Sequence, residues 1–424
     1  MRKFRVGGCW RPLLINCLLC STAAADGLRE ALQATLQNYP AVAGQEAQVD
    51  AKRHAADAVR SQRYPTLSAQ AEQYGEGGRS SSGEDLSQPY ILRIRQPIWA
   101  FGRIDNNIAV ANAEVSTQRA DLLRVRRQLL EDTAAAYAAI RGSQQHIDIA
   151  RQNVTEHEQL FAQIQRRVAG QLASSADERL AAARLGDARA QLERAISEWE
   201  GARDDLVGFT QVPVNADEPV PADLLELRDS TDTIEKAIDQ SAEITVKRRQ
   251  LGEAELEVNQ ARTASMPTIY LQADRYYDQP GLDDDSQASV VFEASLDGLG
   301  LAAKGRTAEA AASRVAATQD LALAKVELTR EIKQLERNRL LQTQLIGLQT
   351  AALSDLESLL ASYQRQYESG TKSWLDLLNV QRELFEQKRQ LVQAQTDWQI
   401  YSLRLLARIG DLDRLAGLQE RDDG

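Results

Sequence analysis

Apolar residues along this chain follow two periods, one helical and one strand-like. From Leu28 to Ser61 they recur at the spacing of a helix, with a mild break at Pro40. From Arg103 to Ala169 the helical spacing continues without a proline, and Gly142 is the one glycine in that run. Because an α-helix rises 1.5 Å per residue, this run predicts a rod of about 100 Å. A second rod is predicted from about residue 302 to 369.

Short segments of alternating polarity lie between the helical runs and predict four strands with one apolar and one polar face. We place these strands at residues 66 to 74, from Tyr90 to a close at Pro97 to Trp99, at 268 to 277 and at Ser289 to Leu296. The predicted apolar faces contain Leu67, Leu92, Ile94, Ile269, Leu271, Val290 and Phe292. The opposite faces carry Arg93, Arg95 and Glu293, which require water. We therefore expect lipid on the first set and an aqueous lumen on the second.

The order of these elements occurs twice. The run from Tyr64 to Ala71 returns as Met266 to Ala273, and the glycine that interrupts the first rod, Gly170, returns as Gly370. Each glycine marks a tight helical hairpin, after which a helix runs back along the rod. We predict the following organisation: a leader at 1–25, a first repeat at 26–212, a linker at 213–231, a second repeat at 232–410 and a polar C-terminal tail at 411–424.

The amino terminus has the pattern of a secretory signal peptide. Basic residues precede a short apolar stretch, and Ala23 to Ala25 form a small-residue cleavage site. The three cysteines, Cys9, Cys17 and Cys20, lie in this leader, so disulfides and thiolate chemistry are not expected in the mature chain. Removing four positive charges takes the formal net charge from −11 to −15, which argues against nucleic acid as a partner.

The strands have the length of bilayer-spanning β-strands, which is about 9 to 11 residues. Four strands cannot close a barrel, because about eight is the smallest number that works and an open edge in lipid leaves backbone groups unpaired. The pattern therefore predicts a barrel assembled from several chains. A long soluble coiled coil is the alternative, but it does not account for strand pairs at the same place in each repeat.

Two segments carry a resemblance to a known family. The run from Gln96 to Arg103 and the run from Tyr367 to Asn379 resemble the strand-to-helix junction and the second hairpin turn of the TolC family of outer-membrane factors. The resemblance covers essentially the whole mature chain. It implies a mainly α protein with a small β part, in which a homotrimer forms one 12-stranded barrel in the outer membrane. It also implies that the long helices enclose a tunnel through the periplasm.

The resemblance also implies a gate at the hairpin turns. Family members narrow this end with a tyrosine, a basic residue and acidic residues on the second hairpin, braced against the first. Tyr367, Lys372 and Asp376 match those positions, while Asn379 stands where a second acidic residue is common. On the first hairpin, Asp177 lies one residue beyond the expected acidic position, and Ser175 is the expected hydroxyl partner. The alternative is that these residues only form turns and caps.

No residue pattern indicates catalysis, so we expect neither an enzyme nor a cofactor. The histidines His54, His146 and His157 lack the spacing of a metal site, and the latter two are expected to be solvated. The segment Gly298 to Gly300 is interpreted as an elbow between strand and helix rather than a nucleotide loop. The acidic run Asp283 to Asp285 lacks the glycine and distal glutamate of a calcium loop and is interpreted as a solvated external loop.

These observations favour a passive export channel. The resemblance implies that it works with a periplasmic adaptor and an inner-membrane ABC or proton-driven transporter, which supplies the energy. Small-molecule efflux and type I protein secretion both remain open as the cargo. The competing class is a periplasmic adaptor or scaffold, which also uses long helical hairpins, although it carries one hairpin and a lipoyl-like domain that this sequence lacks.

Overall fold

The computed structural model describes residues 26–71, 90–225, 230–277, 286–295 and 297–418. The predicted leader and the acidic run Asp283 to Asp285 lie outside these ranges. Within them, long helices are joined to one small antiparallel sheet, which confirms the predicted mainly helical class with a small β part. No helix in the described ranges is both long enough and apolar enough to cross a membrane.

The elements follow the order predicted for two repeats. In the first half they are α1 (Asp26–Asn38), α2 (Pro40–Arg60), β1 (Thr66–Ala71), β2 (Tyr90–Trp99), α3 (Arg103–Ala169) and α4 (Ser175–Thr210). Between the halves lie α5 (Ala222–Leu225) and α6 (Ser230–Gln240). In the second half they are α7 (Ala242–Thr263), β3 (Thr268–Tyr277), β4 (Ser286–Glu293), α8 (Leu301–Glu368) and α9 (Trp374–Arg408), followed by α10 (Asp411–Ala416).

The two longest helices, α3 and α8, contain 67 and 68 residues and are therefore about 100 Å long. Both begin at a glycine in the left-handed region, Gly102 with φ 84° and Gly300 with φ 91°. The residue before each glycine, Phe101 or Leu299, also has a positive φ. These paired left-handed residues turn the chain sharply from strand to helix, which confirms the elbow predicted at Gly298 to Gly300.

The sheet has the order β1-β2-β3-β4, and all neighbouring strands are antiparallel. The strands β1 and β4 are its edges. Because α2 precedes β1, α3 follows β2, α7 precedes β3 and α8 comes after β4, all of these helices leave the sheet at the same end. We call this the helix end; the loop end is the opposite one, from which residues 72–89 and 278–285 continue the chain. The helical hairpin turns therefore lie about 100 Å from the sheet.

The strand β4 and the first helix have boundaries that differ from the prediction. The strand β4 begins at Ser286 rather than Ser289 and ends at Glu293, because its partner β3 begins at Thr268, opposite Glu293. The first helix is divided at Tyr39, because Pro40 begins a new helix at a position where a missing N–H has no consequence.

The main core lies about midway along α3. Its fully buried side chains include Leu28, Leu32, Leu130, Tyr137, Leu206, Ile332, Leu403 and Leu412. Segments predicted as linker and tail contribute to this core: Val220 and Leu225 are buried, and Leu412 belongs to α10. The phenol of Tyr137 donates a 2.8 Å hydrogen bond to the carbonyl of Glu218, and burial raises the pKa of Tyr137 to about 12. The connecting segments thus hold the two repeats together.

Candidate functional site

The two helical hairpin turns, which together we call the turn end, share one local geometry. Ser174 and Ser373 are N-cap residues of α4 and α9, and each forms a capping box with an aspartate three residues later. The hydroxyl of Ser174 donates to Oδ2 of Asp177 at 2.7 Å, and that of Ser373 donates to Oδ2 of Asp376 at 2.8 Å. Each backbone N–H of the aspartate donates in return to the serine hydroxyl. The turns are therefore structurally equivalent.

The capping contacts keep both carboxylates ionised. Hydrogen bonds from the side chain and backbone of Ser174, with a further one from Trp374, hold the pKa of Asp177 below its ordinary value. Hydrogen bonds from Ser373 do the same for the pKa of Asp376, with a contribution from the charge of Lys372. Both aspartates are thus helix-capping residues, as the alternative to the gate hypothesis predicts. A capping role also fixes where each negative charge lies.

The second carboxylate oxygen distinguishes the two aspartates. Oδ1 of Asp177 accepts a 3.1 Å hydrogen bond from Nε1 of Trp374, the first residue of α9. This bond joins the first hairpin to the second. Oδ1 of Asp376 accepts no hydrogen bond from the described residues. The turn end therefore contains one carboxylate engaged between hairpins and one with a free oxygen.

Tyr367 is buried between the hairpins rather than extended into solvent. Only 8% of it is exposed, and its ring lies under the guanidinium of Arg167, with Cζ 4.7 Å from the ring centroid. Its apolar neighbours are Leu160, Ile164, Ala181, Trp374, Leu377 and Leu378. The hydroxyl is buried without a hydrogen-bond partner among the described residues. The tyrosine therefore packs the two hairpins against each other in this arrangement.

The other predicted gate residues are more exposed. The ammonium of Lys372 lies 4.5 Å from the ring centroid of Tyr363. Asn379 is exposed and borders a small cavity of about 90 Å³ beside His157. Ser175 is exposed and forms no side-chain hydrogen bond within the described residues; the hydroxyl beside Asp177 belongs to Ser174.

The two predicted turn glycines differ in conformation. Gly370 has φ 76°, a left-handed value that favours glycine. Gly170 has φ −83°, and the left-handed residue of the first turn is the next one, Gln171, with φ 57°. Leu172 follows and is 77% exposed at the tip. The first turn therefore holds its bend on a residue for which this conformation is strained.

The register of the sheet divides its residues into two faces. The apolar face contains every residue predicted to contact lipid: Leu67, Leu92, Ile94, Ile269, Leu271, Val290 and Phe292. Among these, Leu67, Val290 and Phe292 are 70%, 69% and 64% exposed. The opposite, polar face contains Arg93, Arg95 and Glu293. The structure therefore brings the two predicted sets onto opposite faces.

The polar face carries a ladder of hydrogen bonds across the strands. Nε of Arg93 lies 2.8 Å from Oδ1 of Asp274, and Nε of Arg95 donates to Gln272 at 2.7 Å. Arg95 also forms a 3.2 Å ion pair with Glu293. Asp274 is only 6% exposed. The two arginines therefore have hydrogen-bond partners within the chain. The sequence had predicted that only water would solvate them.

Sequence reasoning missed several residues of these sites, notably Ser174, Ser373, Trp374, Arg167 and Asp274. A signal for the first two was present, because Ser174 and Asp177, like Ser373 and Asp376, have the spacing of a capping box. The contacts of Trp374 and Arg167 join residues about 200 positions apart and leave no local pattern.

The histidines are placed differently from the prediction. His157 is buried and His146 is half-buried, both facing α4 and α9, whereas only His54 is exposed. The expectation that His146 and His157 are solvated is therefore wrong. Within the described ranges, no group of histidine, cysteine, aspartate or glutamate side chains has the arrangement of a metal site.

Comparison with known proteins gives a consistent result. The sequence model of the outer membrane efflux protein family matches residues 31–209 and again 233–411. The solvent efflux pump outer membrane protein SrpC of Pseudomonas putida is 25% identical over 388 residues, covering 80% of this chain and 75% of that protein.

Solved structures of similar fold cover nearly the whole chain. A membrane protein from Pseudomonas aeruginosa superposes with a TM-score of 0.79 at 19% identity, covering 95% of this chain and 99% of that one. The open state of the MtrE outer membrane channel from Neisseria gonorrhoeae gives a TM-score of 0.78 at 18% identity, with 95% and 92% covered. The likeness therefore extends over both repeats.

Proposed function

Because the chain belongs to the outer membrane efflux protein family, we propose that it is the outer-membrane exit duct of a three-part export system. In this proposal three copies assemble, their twelve strands close one barrel in the outer membrane, and the long helices enclose a tunnel in the periplasm. The family is one of channels and not of enzymes. Energy for export comes from an inner-membrane transporter, which reaches the duct through a periplasmic adaptor.

The observation that carries the proposal is the open, two-faced sheet. Among the described residues, the edge strands β1 and β4 are each paired on one side only, and the apolar face of the sheet is exposed in the single chain. Backbone groups at such edges must be paired if the sheet enters lipid. Pairing β1 of one copy with β4 of the next satisfies both edges and turns the apolar faces outward. The polar ladder then lines the lumen.

The gate belongs to the same proposal. A permanently open duct would leak the contents of the periplasm, so it must close when it is not engaged, and the turn end is the part most distant from the sheet. We assign closure to Tyr367 and Trp374, which pack the hairpins together, and to Asp376 and Lys372, which place charges at the tip. Asp177 acts by binding Trp374 rather than by facing the lumen. Opening would separate the second hairpin from the first.

Small organic molecules are the cargo that we favour over secreted proteins. The relative SrpC is named as the outer membrane protein of a solvent efflux pump. The alternative function, a periplasmic adaptor, is not favoured, because the matching family and relatives are outer membrane efflux proteins.

Fractionation and channel recording test the proposal together. The protein is expected in the outer-membrane fraction, as a trimer that resists dissociation in mild detergent until heated, and it should conduct ions in a planar bilayer after purification. A monomer in the soluble fraction, or a complex without conductance, would contradict the exit-duct function. An inner-membrane product would instead support the adaptor.

The gate assignment has a separate test based on charge. Asp376→Asn removes the charge and retains a side chain of the same size, whereas Ser373→Ala disrupts the same capping box and retains the charge. We expect Asp376→Asn to reduce block by multivalent cations several-fold, since the carboxylate with a free oxygen is lost, and Ser373→Ala to keep wild-type block. Equal block in all three proteins would remove Asp376 from the gate.

A further inference from the structure

The apolar face of the sheet has aromatic side chains at both of its ends. At the helix end, Trp99 is 59% exposed and lies edge-on to Phe101, with ring centroids 6.0 Å apart. At the loop end, Tyr90 pairs directly with Tyr277 across the strands. Aromatic rings of this kind mark the two interfaces of a bilayer in outer-membrane barrels. The ten residues of β2 therefore extend from one interface to the other.

One charged residue interrupts this face. Arg275 pairs with Leu92 on β2 and with Ser286 on β4, so its side chain is on the apolar face, two residues from the loop-end tyrosine Tyr277. Arg275 is exposed, and none of the other described strand residues on this face is charged. An arginine on the lipid side is costly at the bilayer midplane and far less so at the interface. Its place at the loop end is therefore consistent with headgroup depth.

The guanidinium of Arg275 is only partly satisfied within the described chain. Nη1 donates to Oγ of Ser286 at 2.9 Å, and Cζ lies 5.3 Å from the ring centroid of Tyr277. A guanidinium has five N–H donors, and its planar fork matches a phosphate with two parallel hydrogen bonds. The serine and the tyrosine ring thus hold the group in place, and within the described residues one of its five donors has a hydrogen-bond acceptor.

The helix end of the face provides a contrast. There Arg63, which precedes β1, forms a 2.6 Å ion pair with Asp105. The cation on the apolar face therefore belongs to the loop end alone.

We propose that Arg275, held by Ser286 and Tyr277, binds the phosphate of a lipid headgroup in the membrane leaflet at the loop end. This inference rests on the proposed function, which places the helices in the periplasm and the loop end at the cell surface. The outer leaflet there consists of phosphorylated glycolipid, so the expected ligand is lipid-bound phosphate. Three copies would give three such sites around the barrel.

The test measures binding of diphosphorylated lipid A to the purified full-length assembly in detergent by native mass spectrometry. Arg275→Gln is compared with Arg249→Gln, which removes an exposed arginine of α7 outside the sheet. We expect Arg275→Gln to weaken binding roughly ten-fold, the size of one lost charged hydrogen-bonded pair, and Arg249→Gln to bind like wild type. Dephosphorylated lipid A should bind wild type as weakly as lipid A binds Arg275→Gln.

Three results would overturn the inference: unchanged binding by Arg275→Gln, equal binding of dephosphorylated lipid A, or full competition by millimolar inorganic phosphate. Oligomeric state and conductance are measured on the same preparations. A conducting trimer with lipid binding independent of Arg275 overturns only this inference, whereas a monomer without conductance overturns the proposed function.

Discussion

At the residue scale, one hydrogen bond distinguishes two otherwise equivalent turns. Asp177 and Asp376 cap their helices in the same way, but only Asp177 receives the indole N–H of Trp374. This contact joins residues of different repeats at the tip of the hairpins. We therefore expect this hydrogen bond to hold the two hairpins together, with Tyr367 packed in the adjacent apolar cluster.

Removing that donor should loosen the turn end. Trp374→Phe keeps an aromatic ring in the apolar cluster and deletes only the N–H that reaches Asp177. We expect the purified channel to spend several-fold more time open in planar bilayers. Trp199→Phe, which alters a tryptophan stacked against Arg203 on α4, is the control and should gate like wild type. Unchanged gating of Trp374→Phe would show that the bond does not hold the hairpins closed.

The same residues show the limits of sequence interpretation at a site. The resemblance indicates Tyr367, Lys372 and Asp376 because all three lie in the contiguous run from Tyr367 to Asn379 that carries it. The contact between Asp177 and Trp374 could not be predicted, because the two residues are 197 positions apart and meet only when the hairpins pack. The hydroxyl partner was placed one residue too late, at Ser175 instead of Ser174, since either serine could begin the helix.

At the element scale, close packing between α3 and α9 depends on a single small residue. A Cβ at Gly142 would overlap Oγ1 of Thr396 and would lie 2.9 Å from its Cγ2. Thr396 is itself buried on α9. The two helices can approach this closely only where one of them has no side chain, which gives a functional reason for the one glycine within the first rod.

Gly142→Ala should therefore destabilise the protein by about 1–3 kcal/mol, the usual range for overpacking. The measurement is the urea midpoint of the solubilised protein. Adding Thr396→Ala should recover part of the loss, because it removes the atoms that clash. Gly186→Ala is the matched control: it lies in α4 with nothing within 4 Å of its Cβ, so helix propensity predicts a small stabilisation. Equal effects of Gly142→Ala and Gly186→Ala would contradict close packing.

The seam where α3 meets α4 and α9 contains two histidines. His146 faces Arg194 and Glu198 of α4 and Arg389 of α9, and His157 faces Arg184 and Asp187 of α4 and Arg382 of α9. Burial, reinforced by Arg389 for His146 and by Arg184 for His157, lowers the pKa of both imidazoles from 6.5. Packing in the seam therefore favours the neutral form of each imidazole.

This arrangement predicts a loss of stability in mild acid. With the folded-state pKa below 6.5, the unfolded chain binds more protons as the pH falls through that value, so stability is full above pH 6.5 and declines below it. Urea midpoints should fall between about pH 7.5 and 5.5. The double variant His146→Gln, His157→Gln should flatten this dependence, whereas His54→Gln, at an exposed position, should not. An unchanged slope in the double variant would contradict the role of the seam.

Helices were predicted more accurately than their contacts. The ends of α3 at Arg103 and Ala169 were predicted correctly, because glycines at 102 and 170 interrupt a long periodic run. The segment around Val220 is interpreted as a linker because Pro213, Pro219 and Pro221 mark it, and the segment around Leu412 as a polar tail, yet both of these residues are buried. Their burial depends on a groove formed by distant helices, which periodicity within one segment cannot reveal.

At the scale of the whole molecule, the two faces of the sheet should differ in access to lipid. All three cysteines of the chain lie within the predicted leader, so single cysteines can be introduced without a background in the mature protein. Leu92→Cys and Phe292→Cys, on the apolar face, should react with a maleimide confined to the bilayer. Gln287→Cys, on the polar face, should react only with a water-soluble reagent. Equal labelling of all three would contradict the proposed orientation.

The packing of α8 has a consequence for how the protein is made. In the single chain, the buried residues of this 68-residue helix are Ala324, Leu328, Ile332, Leu335 and Tyr367, while apolar side chains such as Val326 and Leu348 are exposed. In the proposed trimer, neighbouring subunits would cover these apolar side chains. Under that proposal the abundance of a newly exported subunit should depend on how fast it assembles, so substitutions along α8 would reduce protein abundance before they altered transport.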